Sequence, residues 1–157
     1  MKGFLTTHKG MEDIAALEVK ELIGSESKID EACIVFDIKN YEDLFKLCYR
    51  SQSSIDICYL LAEFDYSDVF GDFEKNMEKI GFGEWMSKDT SFRVKCAKVN
   101  EDGMPTPEME KKFGEIIINY IQKKCHYNQK VSLENPEIII FVCLTKKRYY
   151  AGIDFAG

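Results

Sequence analysis

The chain has 157 residues, 45% of them hydrophobic and 31% charged, with a formal net charge of −6. That suffices for one ordinary domain or two small ones with a real core, and the overall acidity argues against indiscriminate nucleic-acid binding. No apolar run approaches the roughly 20 residues that span a bilayer, and the opening MKGFLTTHKGMED lacks the apolar stretch of a secretory signal, so the expectation is a cytoplasmic chain.

Residues 2–7 read as a first strand with Phe4 and Leu5 as its apolar content. Gly10 opens a helix over residues 11–23. Its apolar face is Ala15, Val19, Leu22 and Ile23, edged by Met11 and Ile14. Glu12 and Asp13 suit the positive end of its dipole, and Gly24 is placed to stop it. Residues 27–38 are extended, with a reversal near Asp30 and Glu31. Asn40 caps a second helix striped by Tyr41, Leu44, Phe45 and Cys48. A strand follows over residues 54–64, with Ile55, Ile57, Tyr59 and Leu61 on one side. The order β-α-β(β)-α-β is a doubled split β-α-β unit, the ferredoxin-like arrangement of one antiparallel sheet with both helices on one face.

A second unit begins near Asp65. Val69, Phe70, Phe73, Met77 and Ile80 predict one amphipathic helix capped by Ser67 and broken at Gly81-Phe82-Gly83. Over residues 90–99, Phe92, Val94 and Cys96 alternate with Arg93 and Lys95, which predicts a strand with its two cations facing outward. After a Gly103-Met104-Pro105 loop, Thr106 is expected to cap a helix with Pro107 in its first turn and Phe113, Ile116, Ile117, Tyr120 and Ile121 on one face. Asn135-Pro136 then turns the chain into two closing strands. The first is seven consecutive apolar residues, Ile138 to Leu144, the second residues 149–155, with Lys146, Lys147 and Arg148 in the turn between. A strand apolar on both faces has to be covered on both or lie inside a sheet. The fold class is α+β.

Complete catalytic patterns are missing. The six cysteines form no C-x-x-C pair, and His8 and His126 are the only histidines, so free buried thiols are a better reading than a metal site. Gly81-x-Gly83 lacks the third glycine of a dinucleotide fingerprint, and Met86 stands in its place. His126 reads as a surface cap. Positive charge is unevenly spread instead. Residues 1–64 carry seven basic and twelve acidic side chains, residues 90–157 eleven basic and eight acidic. Arg93, Lys95 and Lys98 on one strand, Lys111 and Lys112 early in the long helix, and Lys146, Lys147 and Arg148 in the final turn are the candidate phosphate contacts. Lysines at strand ends also guard sheet edges, so this pattern alone leaves both uses open.

Residues 65–157 resemble a THUMP domain, an RNA-binding module of tRNA- and rRNA-modifying enzymes. The resemblance rests on Thr90-Ser91-Phe92-Arg93-Val94-Lys95, on Gly114, on Val131-Ser132-Leu133-Glu134-Asn135-Pro136, and on Tyr150-Ala151-Gly152-Ile153-Asp154. Residues 1–64, with Phe4-Leu5-Thr6-Thr7 and Gly10-Met11-Glu12, look like the ferredoxin-like domain that precedes THUMP in such proteins. The resemblance implies a ferredoxin-like domain packed on an α/β THUMP domain. It further implies recognition of structured RNA, tRNA at its acceptor end, for a methyltransferase domain beyond this chain that would use S-adenosylmethionine. No cofactor, metal or catalytic residue is expected within these residues. Cys96 and Ala97 stand where the family often has a further arginine, which shifts the expected contact onto Lys95 and Lys98. Two other readings remain: a stand-alone THUMP adaptor that brings tRNA to a separate modifying enzyme, and a ferredoxin-like sensing or pairing domain without RNA.

Overall fold

The computed structural model describes residues 1–99 and 103–156. It separates into two compact units, residues 1–61 together with the C-terminal stretch from Gly152, and residues 62–151.

In the first unit, β1 (Lys2–Thr7), α1 (Glu12–Ile23), β2 (Ser27–Asp30), β3 (Cys33–Asp37), α2 (Tyr41–Arg50) and the body of β4 (Ser54–Asp65) follow in the expected order. The strands lie as β2-β3-β1-β4, antiparallel at every pairing. This is the doubled split β-α-β arrangement. Leu5, Ile34, Phe36 and Ile57 form one buried cluster with Ala15, Val19 and Ile23 of α1 and Leu44 and Leu47 of α2. The apolar face of α1 is narrower than expected: Ile14 is half exposed, because the cluster is filled by the residues one turn either side of Val19. Gly24 closes α1 at φ 74°, its N–H donating to the Lys20 carbonyl at 2.9 Å. Asn40 caps α2, its Oδ1 accepting from the Asp43 N–H at 3.3 Å.

Two carboxylates of α1 hold neighbouring loops. Glu12 accepts from the N–H of Gly10 at 2.6 Å and of Ala32 at 3.1 Å. Glu18 accepts from the N–H groups of Gln52 and Ser53 at 2.9 and 3.0 Å, and from both hydroxyls of Ser51 and Ser53.

The second unit takes the last residues of β4, then α3 (Val69–Lys75), α4 (Met77–Ile80), a 3₁₀ turn (Phe82–Glu84), β5 (Ser91–Lys98), α5 (Thr106–Cys125), β6 (Lys130–Val131), β7 (Ile138–Leu144) and β8 (Arg148–Asp154). Within it the order is β4-β8-β7-β5-β6. β5 and β7 run parallel, from Phe92 opposite Ile138 to Lys98 opposite Leu144, and α5 is part of the crossover that parallel neighbours require. β7 therefore lies inside the sheet, and Ile140 to Leu144 are all buried. Met109, Phe113, Ile117 and Ile121 form the buried stripe of α5. Phe113 meets Phe70, Phe73 and Tyr149 at ring separations of 5.0, 4.7 and 6.1 Å.

Several sequence expectations are corrected. The helix over residues 69–80 is two helices, interrupted at Asn76, whose Nδ2 donates to the Asp72 carbonyl at 2.8 Å. Ser67 does not cap it. The Asp72 carboxylate instead reaches back to the N–H groups of Ser67 and Asp68, at 2.8 and 3.0 Å. Thr106 is already helical, and the Pro105 carbonyl accepts from Glu108 and Met109, each at 3.1 Å. β6 was not foreseen, being two residues long. Arg148 is the first residue of β8 and lies outside the turn.

Gly152 has no room for a side chain: a Cβ there would lie 2.2 Å from the Tyr59 carbonyl oxygen and 2.7 Å from the Phe4 ring. Because the first of these is backbone, Gly152→Ala is expected to destabilise by at least about 2 kcal/mol in urea unfolding. Gly83→Ala, with nothing within 4 Å of the added carbon, is the near-neutral control. A second expectation concerns acid. Burial raises the Glu18 carboxyl, but the Ser53 hydroxyl and the amides of Gln52 and Ser53 outweigh it, and the net shift is downward from 4.5. A lowered folded value contributes stability above the unfolded pKa that is lost as pH falls through the folded one. Stability should decline below pH 4.5, and Glu18→Gln should flatten part of that decline in pH-dependent unfolding.

Candidate nucleic-acid interface

The alternation of β5 sets out the first cations. Phe92, Val94 and Cys96 are buried while Arg93 and Lys95 lie between them half-exposed. Arg93 donates through Nη1 to the Leu133 carbonyl at 3.2 Å, tying the segment after β6 to β5. Lys95 stands over the ring of its cross-strand partner Phe141, with Nζ 5.8 Å from the centroid. At the far end of the same strand, Lys98 donates to the Met104 carbonyl at 2.5 Å.

The structure gathers the predicted cations into two groups. Lys98 and Lys146 line one cleft of about 280 Å³ with Tyr66, Phe70, Met104 and Thr145. Lys112 reaches the same Phe70, its Nζ 5.0 Å from the ring centroid. Arg93 and Lys111 line a second, largely apolar cleft of about 550 Å³ with Val94, Gly114, Ile118 and Leu133. Glu110 and Glu115 also line it, so its charge is balanced. Lys147 is exposed, and its carbonyl accepts from the Tyr66 N–H at 2.9 Å.

Arg148 is placed differently from its two neighbours. Its guanidinium bridges Glu63 and Asp65, each at 2.6 Å. Burial works against its charge, yet the hydrogen bonds to Asp65 and Glu63 more than offset that and hold the group more firmly charged than an ordinary arginine. Its Nε is buried without a partner among the described residues. These contacts hold its charged end, whereas Lys146 is exposed. The sequence signal was available in retrospect: Glu63 and Asp65 are two apart on β4 and so share a face. Tyr66 was also missed. Its hydroxyl donates to the Thr145 carbonyl at 2.6 Å, and together with the Lys147 contact it fixes the turn that presents Lys146.

Burial pushes the Cys96 thiol up to about 12, so it stays protonated at neutral pH. His126 is the left-handed residue closing α5, at φ 62°. Among the described residues no three His, Cys, Asp or Glu side chains converge to hold a metal ion. Nor is any helix long and apolar enough to cross a membrane.

Fold and clefts define an α+β chain of two units, the second of which carries lysines around a shallow cleft. Residues 68–154, more than half the chain, match the THUMP domain, and the chain belongs to that family. It is 23% identical over its whole length to a tRNA (guanine(6)-N2)-methyltransferase of Methanocaldococcus jannaschii, of which it spans 42%. Among solved structures, 99% of the chain superposes on TrmN from Thermus thermophilus with a TM-score of 0.71 at 20% identity, covering 46% of that protein. A 4-thiouridine synthetase solved as an RNA complex with bound ATP matches 98% of the chain with a TM-score of 0.58 at 13% identity, over 41% of its own length. The chain thus spans less than half of each.

Removing the Arg148 guanidinium leaves the part-buried Glu63 and the exposed Asp65 carboxylates side by side without their shared cation. Arg148→Met is expected to cost about 1–3 kcal/mol, with the loss partly recovered in Glu63→Gln plus Arg148→Met, measured by a double-mutant unfolding cycle.

Proposed function

We propose that this chain is the RNA-binding portion of a tRNA-modifying methyltransferase, with residues 1–64 a ferredoxin-like domain and residues 65–157 the RNA-contacting THUMP domain. The observation that carries the reading is the gathering of Lys98, Lys112 and Lys146 about one cleft inside the THUMP-matched residues. Ammonium groups spaced around a shallow concavity suit phosphates, which need charge at suitable separations and little sequence order. The name of the Methanocaldococcus jannaschii relative supports tRNA as the substrate class and methyl transfer as the reaction. In this reading a domain outside these residues carries the transfer out from S-adenosylmethionine, in the cytoplasm. Within the interface Lys146, Lys147, Lys98 and Lys112 make the phosphate contacts. Arg93, Lys95 and Lys111 flank them, and Arg148 acts by holding the turn in shape.

The test is a fluorescence-anisotropy titration of labelled tRNA over a series of salt concentrations. Each phosphate-contacting lysine removed should reduce the log–log salt slope by about 1, and Lys98→Ala plus Lys146→Ala should weaken binding about ten-fold or more. Arg148→Met should leave the salt slope close to that of the parent while lowering thermal stability. No retention of tRNA at low salt, or retention indifferent to both lysines, would sink the reading.

A further inference from the structure

The sheet of the second unit ends at β6, which covers its neighbour only in part. β6 pairs with β5 in parallel at two positions, Ser91 opposite Lys130 and Phe92 opposite Val131, and then leaves the sheet. Beyond that point β5 has β7 on one side and, among the described residues, no strand on the other. The N–H and C=O of one strand residue point to the same side, and successive residues alternate. The Ser91 carbonyl accepts from the Glu137 N–H at 3.1 Å on the β7 side, whereas the Phe92 carbonyl accepts from the Ser132 N–H at 3.0 Å on the outer side. The Cys96 N–H, also on the outer side, donates to the Glu110 carboxylate at 2.8 Å. Val94 lies midway between Phe92 and Cys96, so its N–H and C=O face outward, between the departing β6 and Glu110.

The largely apolar cleft of about 550 Å³ opens beside this edge, between one side of α5 and the residues of β5 and β6. Val131 and Leu133 line it and stay 50% and 71% exposed, large aliphatic side chains left without full cover. Gly114 keeps the α5 wall low. A glycine inside a helix lowers stability, and here it leaves space over Val94, whose side chain would lie 4.0 Å from an added Cβ. The charged side chains of the lining, Arg93, Lys111, Glu110 and Glu115, balance to zero. Two of them are already engaged, Arg93 with the Leu133 carbonyl and Glu110 with the Cys96 N–H. Such a surface offers a polyanion no net attraction.

We propose that this edge and cleft take a strand from a partner polypeptide, an extended and uncharged segment with apolar side chains at every second position. Val94 offers a donor and an acceptor side by side, which another peptide backbone matches and a purely apolar molecule does not. The added segment takes up the line of β6 where β6 leaves β5. Alternate side chains of a strand point the same way, so one set enters the cleft above Val94 and the other faces away from α5. The balanced charge of the lining complements an uncharged partner and sets this site apart from the cleft that holds Lys98 and Lys146. The inference stands independently of the RNA reading above.

The test is a selection of short random peptides displayed on phage against the immobilised chain, followed by fluorescence anisotropy of the enriched sequences made with blocked, neutral ends. Enriched sequences are expected to be poor in charge and apolar at every second position, with affinity unchanged between about 50 and about 200 mM salt. N-methylation of alternate residues removes the donors of the added strand and should weaken binding about ten-fold or more. The cleft-filling Gly114→Leu and the charge introduced by Leu133→Asp should each do the same. Leu133 is largely exposed, so the second variant keeps its fold, and thermal unfolding checks both. Lys98→Ala plus Lys146→Ala should leave peptide affinity as it was. Failure to enrich any peptide that distinguishes the parent from Gly114→Leu, or binding indifferent to N-methylation, overturns the proposal. Another occupant overturns it too: tRNA binding lost in Gly114→Leu assigns the cleft to RNA, and a dimer in sedimentation that the same substitution breaks assigns it to a second copy of the chain.

Discussion

The parallel pairing of β5 with β7 is the constraint on which the rest of the second unit depends. Neighbouring strands that point the same way cannot be joined by a hairpin, so the chain must leave the sheet and return, and α5 is the long element of that return. β7, with β8 on one side and β5 on the other, has no solvent-facing edge, which is why five successive residues from Ile140 can be apolar without cost. The crossover also fixes where charge emerges. Lys98 lies at the end of β5, Lys112 on the first turns of α5 and Lys146 just past β7, so three cations distant in sequence arrive at one end of the unit.

Electrostatics then sorts cations of similar sequence context into different roles. Lys146, Lys147 and Arg148 are consecutive, yet among the described residues only the third meets two carboxylates. A guanidinium can engage two acceptors at once in a fixed plane, and the i, i+2 spacing of Glu63 and Asp65 supplies both from one strand. Lys146 and Lys147 are exposed on the turn. The acidic end of β4, which lowers the net charge of the chain, thus stabilises the fold of a basic turn instead of opposing it.

Much of this was legible from residue pattern. Period-two alternation around Arg93 and the seven apolar residues of β7 gave their strands directly, and the order of the first six elements gave the antiparallel first unit. What escaped were features set by tertiary contact. Asn76 breaks a helix whose apolar spacing runs straight through it, because its side chain takes the Asp72 carbonyl. Asp72 displaces Ser67 as the capping group by reaching back from inside the helix. β6 exists only because the start of β5 offers it backbone partners, and two residues carry no period to read. The cation set was legible by composition, but which members converge depended on the crossover, and the engagement of Arg148 depended on a strand more than eighty residues earlier.

The assignment of Gly152 and the residues after it to the first unit has a consequence for taking the molecule apart. The first unit is completed by the last stretch of the chain, where the Phe155 N–H donates to the Ile57 carbonyl at 2.9 Å and the ring packs on Tyr41 and Phe45. The second is completed by the end of β4, where Glu63 and Asp65 hold Arg148. A cut between residues 64 and 65 therefore yields neither unit whole: one piece loses the stretch from Gly152, the other one carboxylate of its bridged arginine.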